Sequence, residues 1–325
     1  KADKHDFRKD AFENMLKFLS KYYNIYTKKF QPKNFRFTFY PIFLISGPTC
    51  AGKTTIGNYL LENFYYYHIE ASDFMMLEYY ETHGRKSDIG VGEFAKEVLK
   101  VKPYVVVDRI FSHIDKVPKS CSIVITGFRT PSEIEYFKKN SPLKGNIVTI
   151  YIDADYEIRY KRWLNRKVNS RENARFYFDK SNKLQNEMGL SLIKEMKNIA
   201  KIENNSTYSD YYNVFYNNFL KDLNLSKRKE RLNFKKVNPA NLENTIILTL
   251  ANKYQSELEK FYTTTEISHL IDQTFNNEIK KHKDNISRYF NQKNNPYFEL
   301  LITNEKIKYK LSPTGYSKAV TTISD

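Results

Sequence analysis

The segment Gly47-Pro48-Thr49-Cys50-Ala51-Gly52-Lys53-Thr54 constrains this chain more than any other stretch. It meets every fixed position of the glycine-rich phosphate-binding pattern G-x-x-x-x-G-K-[ST]. The apolar run Phe39-Tyr40-Pro41-Ile42-Phe43-Leu44-Ile45 precedes it, and a helix-permissive segment follows over residues 54–64. Strand, glycine loop and helix is the context such a loop needs. The glycines let backbone N–H groups approach an anion, and the N-terminus of the following helix points at it. Gly47, Cys50, Ala51, Gly52, Lys53, Thr54 and Thr55 are therefore the expected nucleotide-binding residues. Lys53 is expected at the β and γ phosphates of ATP, and the Thr54 hydroxyl at Mg²⁺.

From residue 39 onward, short apolar runs alternate with helical spacing. Strands are expected at 39–46, 66–70, 121–127 and 147–153. Helices are expected at 53–64, 91–100, 103–115, 131–138, 155–167 and 185–198, with a closing helix over 209–220. Such alternation predicts an α/β fold with a parallel sheet and helices on both faces. Ligands of these sheets sit at the carboxyl ends of the strands. Asp73 and Arg129 each follow a strand candidate, so both can converge on the Lys53 loop. Asp73 can orient an acceptor or hold Mg²⁺ through water, and Arg129 suits bidentate capture of phosphate. The plainer alternatives are a helix cap for Asp73 and a surface pair with Glu133 for Arg129. Arg159, Arg162 and Arg166 share one helix face, with Arg171 and Arg175 beyond them. Such arginines can cap phosphoryl charge or form a solvated basic face.

Residues 38–222 are expected to form one domain, and the stretch from about Phe39 to Leu220 resembles the nucleoside-monophosphate-kinase branch of the phosphate-loop fold, which includes dephospho-coenzyme-A kinase and deoxynucleoside-monophosphate kinases. The resemblance rests on residues 47–54, Ser72-Asp73-Phe74, the turn Gly127-Phe128-Arg129-Thr130-Pro131-Ser132-Glu133-Ile134, and Ile150-Tyr151-Ile152-Asp153-Ala154 with the arginines after it. It implies ATP- and Mg²⁺-dependent phosphoryl transfer to a nucleotide-like acceptor. Lys53 and Thr54 would lie at the donor phosphates, Asp73 and Arg129 near the acceptor, and Arg162 and Arg166 at a lid. The family often carries an acidic residue just before the glycine of the third-strand turn, where this chain has Thr126. Magnesium is then expected on Thr54 and waters, with Asp73 nearby.

The tail reads as a second unit. Residues 223–240 are polar and basic and are expected to be a linker. Residues 241–325 read helix, helix, helix, strand, turn, strand, the order of a winged helix, with Pro313 and Gly315 stopping the hairpin before a short final segment. Lys281, Lys283, Asn285 and Arg288 lie on or near the presumed recognition helix and suit contact with DNA phosphates and bases. Lys306, Lys308 and Lys310 alternate along the wing. Docking of a protein partner, homo-oligomerisation or a place in a larger complex are the rival uses. A nucleotide-sensing regulator or scaffold subunit therefore stands beside the kinase as a reading of the whole chain.

Net charge supports an anionic partner without naming it. The 325 residues carry +16. Residues 231–325 hold 14 Lys+Arg against 10 Asp+Glu, so about +4, and the remaining excess lies in the nucleotide-handling part. No apolar run approaches the ~18–20 residues of a membrane helix. Cys50 and Cys121 have no metal-ligand spacing, which predicts a reducing, cytoplasmic setting. Residues 1–10 are charged and show no secretory pattern. The chain begins without Met, so an upstream segment is expected, and residues 7–18 have the spacing of an amphipathic helix within an N-terminal region of 1–37.

Overall fold

The computed structural model describes residues 36–37, 40–84, 89–166, 173–223, 225, 227–228, 232–236, 239–254, 256–257, 260–276, 278–279, 281–302 and 306–323. The helix expected at 7–18, Arg171 and part of the linker lie outside them. The chain divides into two compact units. In the smaller, Lys1–Phe37 with Pro142–Lys144, the described structure is a parallel pair of β1 (Arg36–Phe37) and β5 (Leu143–Lys144). The larger comprises Thr38–Ser141 and Gly145–Asp325.

Five parallel strands organise the larger unit: β2 (Ile42–Ser46), β3 (Tyr66–Glu70), β4 (Ser122–Thr126), β6 (Ile147–Asp153) and β7 (Ala200–Glu203). Their order is β3-β4-β2-β6-β7, so β2 sits in the middle. The strands β2, β3 and β4 are wholly buried, as continuous apolar runs in parallel sheets usually are. Helix α1 (Lys53–Phe64) leaves the loop after β2 and buries Ile56, Leu60, Leu61 and Phe64. The other helices are α2 (Ala71–His83), α3 (Val91–Val101), α4 (Val105–Ile114), α5 (Pro131–Asn140), α6 (Tyr156–Arg166), α7 (Ala174–Met188), α8 (Leu190–Lys194) and α9 (Tyr208–Phe219). Helix α5 opens on a reciprocal cap between Thr130 and Glu133, with Pro131 in its first turn. The expected α/β fold with a parallel sheet and helices is present. The helix expected at 185–198 is instead two elements, because Gly189 stands at φ 111° between α7 and α8. Strand β7 and helix α2 were not expected from periodicity.

Toward the carboxyl end stand α10 (Leu242–Tyr254), α11 (Thr264–Thr274) and α12 (Lys283–Gln292). An antiparallel pair follows, β8 (Phe298–Ile302) with β9 (Ile307–Leu311). This arrangement is compatible with a winged domain. Its core packs Ile246, Ile267, Ile271, Ile286 and Phe290, and it includes Leu61 of α1. The rings of Phe290 and Tyr309 stack 3.7 Å apart. The last segment is a full helix, α13 (Pro313–Thr322): Ser312 caps it by accepting from the Gly315 N–H, and Pro313 occupies its first turn.

Helix α13 covers the outer edge of the sheet. Ser317 Oγ accepts from the His68 N–H (3.1 Å) and donates to the His68 carbonyl (2.7 Å), and Thr314 Oγ1 accepts from the Glu70 N–H (3.1 Å). An uncovered edge strand leaves such groups open to other chains. Tyr316 is fully buried, stacks on Tyr254 at 4.2 Å and donates to Glu62 of α1.

Candidate active site

The loop between β2 and α1 is shaped by backbone geometry. Gly47 has φ 144° and Gly52 φ 107°. A Cβ on Gly47 would lie 2.0 Å from the Ile152 carbonyl oxygen, and one on Gly52 2.3 Å from the Asn204 side-chain nitrogen. Cys50 takes φ 63°, an uncommon conformation for a residue with a side chain.

Four consecutive loop carbonyls are held from outside. Arg159 Nη1 donates to Thr49 O (3.3 Å), Arg162 Nη1 to Cys50 O (3.3 Å), Asn204 Nδ2 to Ala51 O (2.8 Å) and Tyr211 Oη to Gly52 O (3.1 Å). In a trans peptide the N–H points opposite to the C=O, so pulling these carbonyls outward turns the following N–H groups inward. Among the described residues, the N–H groups of Cys50, Gly52, Lys53 and Thr54 meet no protein acceptor. The result is a concavity lined by N–H groups, of the kind that suits an anion, continued by the first turn of α1, where Thr55 also lies.

Lys53 is 7% exposed and donates to Pro48 O at 2.8 Å. Burial, reinforced by the Arg129 cation, lowers its pKa to about 7. Arg129 is placed at the end of β4 as expected; its Nη1 donates to Gln185 Oε1 (3.0 Å), and the same oxygen accepts from the Thr49 N–H (3.1 Å). The surface pair with Glu133 does not form, because Glu133 accepts from the backbone N–H groups of Arg129 and Thr130. Arg162 reaches the loop, with its other nitrogen on Asn204 O (2.9 Å). Arg166 is exposed at the end of α6, and its charge is felt at Lys53 and Cys50. Arg175 pairs with Glu157 and lies over Tyr160. Burial raises the Cys50 pKa, so the thiol is neutral.

At the start of α1, the hydroxyls of Thr54 (2.9 Å) and Thr126 (2.7 Å) both donate to Glu70 Oε2. His68 lies between two polar groups, with Nε2 2.7 Å from the Thr126 hydroxyl and Nδ1 3.1 Å from Asn58 Oδ1. Burial lowers the His68 pKa to about 4, and the ring is neutral. An oxygen-only set of one carboxyl and a threonine hydroxyl fits Mg²⁺, which binds few protein carboxylates and keeps waters and phosphate oxygens. Among the described residues, no cluster of three His, Cys, Asp or Glu has metal-binding geometry.

Asp73 is placed differently from the expectation at both acceptor and metal. It is buried, and its Oδ2 accepts from the Thr314 N–H at 3.1 Å, so it caps α13. It lines a cavity with Met76, Tyr80, Phe290, Asn295 and Phe298, on the side of the carboxyl-terminal elements. Burial raises its pKa well above the usual carboxylate range. The carboxyl group that meets Thr54 belongs to Glu70, three residues earlier. Glu70 reaches over from β3 to both Thr54 and Thr126. Sequence reasoning gave no role to Glu70, Gln185 and Tyr211, and placed Asn204 only within a segment resembling the family's closing elements. Only Glu70 carried a signal, as a charged residue ending a strand with the apolar neighbour Ile69.

Lys283, Asn285 and Arg288 are exposed on α12, and Lys281 is half-buried just before it. Lys310 of β9 pairs with Glu299 of β8 at 3.1 Å, which neutralises part of the lysine charge on that strand. No helix among the described residues is long and apolar enough to cross a membrane.

No curated protein matches the chain. Among solved structures, the crystal structure of TT1252 from Thermus thermophilus is similar at 17% identity and a TM-score of 0.36, over 55% of this chain and 96% of that one. Residues 43–187 match the family described as an AAA domain, a phosphate-loop NTPase-like segment that here carries the glycine loop, Glu70, Arg129, the α6 arginines and Gln185.

Proposed function

We propose that this protein transfers a phosphoryl group from ATP to a nucleotide-like small molecule. The observation that carries the reading is the loop with four carbonyls clamped outward, the N–H groups of Cys50, Gly52, Lys53 and Thr54 without a partner among the described residues, and a buried lysine beside it. The donor triphosphate occupies that concavity. Lys53 turns from Pro48 O to the β and γ phosphates. Thr54 and Glu70 hold Mg²⁺, which neutralises phosphate oxygens when bound. Arg129 stands beside Lys53 and binds phosphate once Gln185 releases it. Arg162 and Arg166 screen the charge that develops on the transferred group. Asp73 stays with α13 and takes no part in the chemistry.

A panel of nucleoside monophosphates with ATP and Mg²⁺ tests this: ADP release should depend on one acceptor class and vanish in Lys53→Ala. Turnover that survives Lys53→Ala contradicts the assignment.

One observation favours a second reading, a nucleotide-responsive regulator or scaffold: α13 is bonded directly to the strand that ends in Glu70. In this reading Lys281, Lys283, Asn285 and Arg288 face DNA or a protein partner. Saturable ATP binding without acceptor-dependent ADP release supports it. A steep loss of duplex binding with salt identifies DNA as the partner, and a flat response identifies protein docking.

A further inference from the structure

The last helix does more than cover an edge. His68 and Glu70 turn their backbone groups outward from β3, and α13 takes three of them through Ser317 and Thr314. The side chains of the same two residues turn toward α1 and β4, where Glu70 meets Thr54 and Thr126, and His68 meets Thr126. Hydrogen bonds thus run without interruption from the final helix, through two residues of β3, to the first turn of the phosphate-loop helix.

We propose that Thr314 and Ser317 are positioning residues for the metal side of the phosphate loop, holding Glu70 in place for Mg²⁺ and thereby tying metal–nucleotide binding to the docking of the carboxyl-terminal helix. The inference rests on the nucleotide-binding reading above.

Three features make this arrangement a built one. Thr314 is held on two sides: its hydroxyl accepts from Glu70 N–H, and its own N–H donates to Asp73. Both Thr314 and Ser317 are fully buried, so water offers no replacement partner. Space for the His68 ring exists because residue 57 is glycine, where a Cβ would lie 2.5 Å from the imidazole. With no acidic residue at position 126, the carboxyl group must come from one strand further out. That strand is the edge, and α13 is what fixes it there.

Isothermal titration of ATP into the full chain, once with Mg²⁺ and once with EDTA, separates positioning from mere support. Thr314→Val keeps the shape and removes the acceptor for Glu70 N–H. It should weaken Mg²⁺–ATP binding about tenfold, the effect of one buried unpaired group, and leave metal-free ATP binding unchanged. Thr314→Ser should restore the metal-dependent part, and Ser317→Ala should show a smaller loss in the same direction. Equal loss with and without metal, or no loss in either, overturns the proposal. If the wild-type chain takes no nucleotide under either condition, the phosphate-loop reading fails and this proposal with it. Should Thr314→Val not fold, hydrogen exchange on the wild-type chain decides. Adding Mg²⁺ to the ATP-bound protein should slow the His68 and Glu70 amides at least about tenfold, and no change overturns the link.

Discussion

Lys53 is a buried amine with a neighbouring guanidinium, and this makes nucleotide binding pH-dependent. Burial and the Arg129 charge hold its pKa down to about 7. A triphosphate favours the charged form, so the complex binds more protons than the free protein. Affinity must therefore fall as pH rises above 7, by up to about tenfold per pH unit while the free lysine is neutral and the bound one is charged. ATP titrations between pH 7.5 and 9 should show this decline, and Lys53→Met should abolish the slope. A second contrast at this scale separates two carboxyl groups three residues apart. Glu70→Gln should weaken Mg²⁺-dependent ATP binding with little change in stability. Asp73→Ala should leave nucleotide affinity intact and lower stability by about 1–3 kcal/mol, because it removes the buried acceptor of the Thr314 N–H at the start of α13. Titration and urea unfolding of both variants check the pair. The sequence revealed the loop residues because glycine, lysine and threonine are there for local reasons. It did not separate Glu70 from Asp73, because the choice depends on a helix more than 240 residues away.

At the level of elements, strands β2, β3, β4 and β6 were legible within a few residues, since buried parallel strands are short apolar runs between turn residues. Helix α13 was missed because Pro313 and Gly315 read as a stop. The proline instead occupies a first helical turn behind the Ser312 cap, and Gly315 is needed because a Cβ there would lie 2.2 Å from the Tyr297 carbonyl oxygen. Strand β7 was missed because its four residues alternate apolar and polar too briefly to register. The element that joins the two ends of the larger unit is α13, anchored by Tyr316. Tyr316→Ala should cost about 3–5 kcal/mol in urea unfolding, as for other buried aromatics, and should promote association by uncovering the β3 edge. A loss below about 1 kcal/mol, with no change in oligomeric state from the wild type, would contradict this account of the helix.

Across the whole molecule, one feature organises the rest. The middle strand of a parallel sheet delivers a glycine loop whose carbonyls are tied back by Arg159, Arg162, Asn204 and Tyr211, so that its N–H groups and Lys53 face one space. Excess positive charge suits that space, and the carboxyl-terminal helix reaches it through β3. Titration of the full chain with ATP and Mg²⁺, compared between wild type and Lys53→Ala, tests this most directly. The account predicts one saturable site in the wild type, weakened at least about tenfold by the substitution, since a hydrogen bond to a charged group is lost. Equal binding by the two proteins, or none by the wild type, would contradict it.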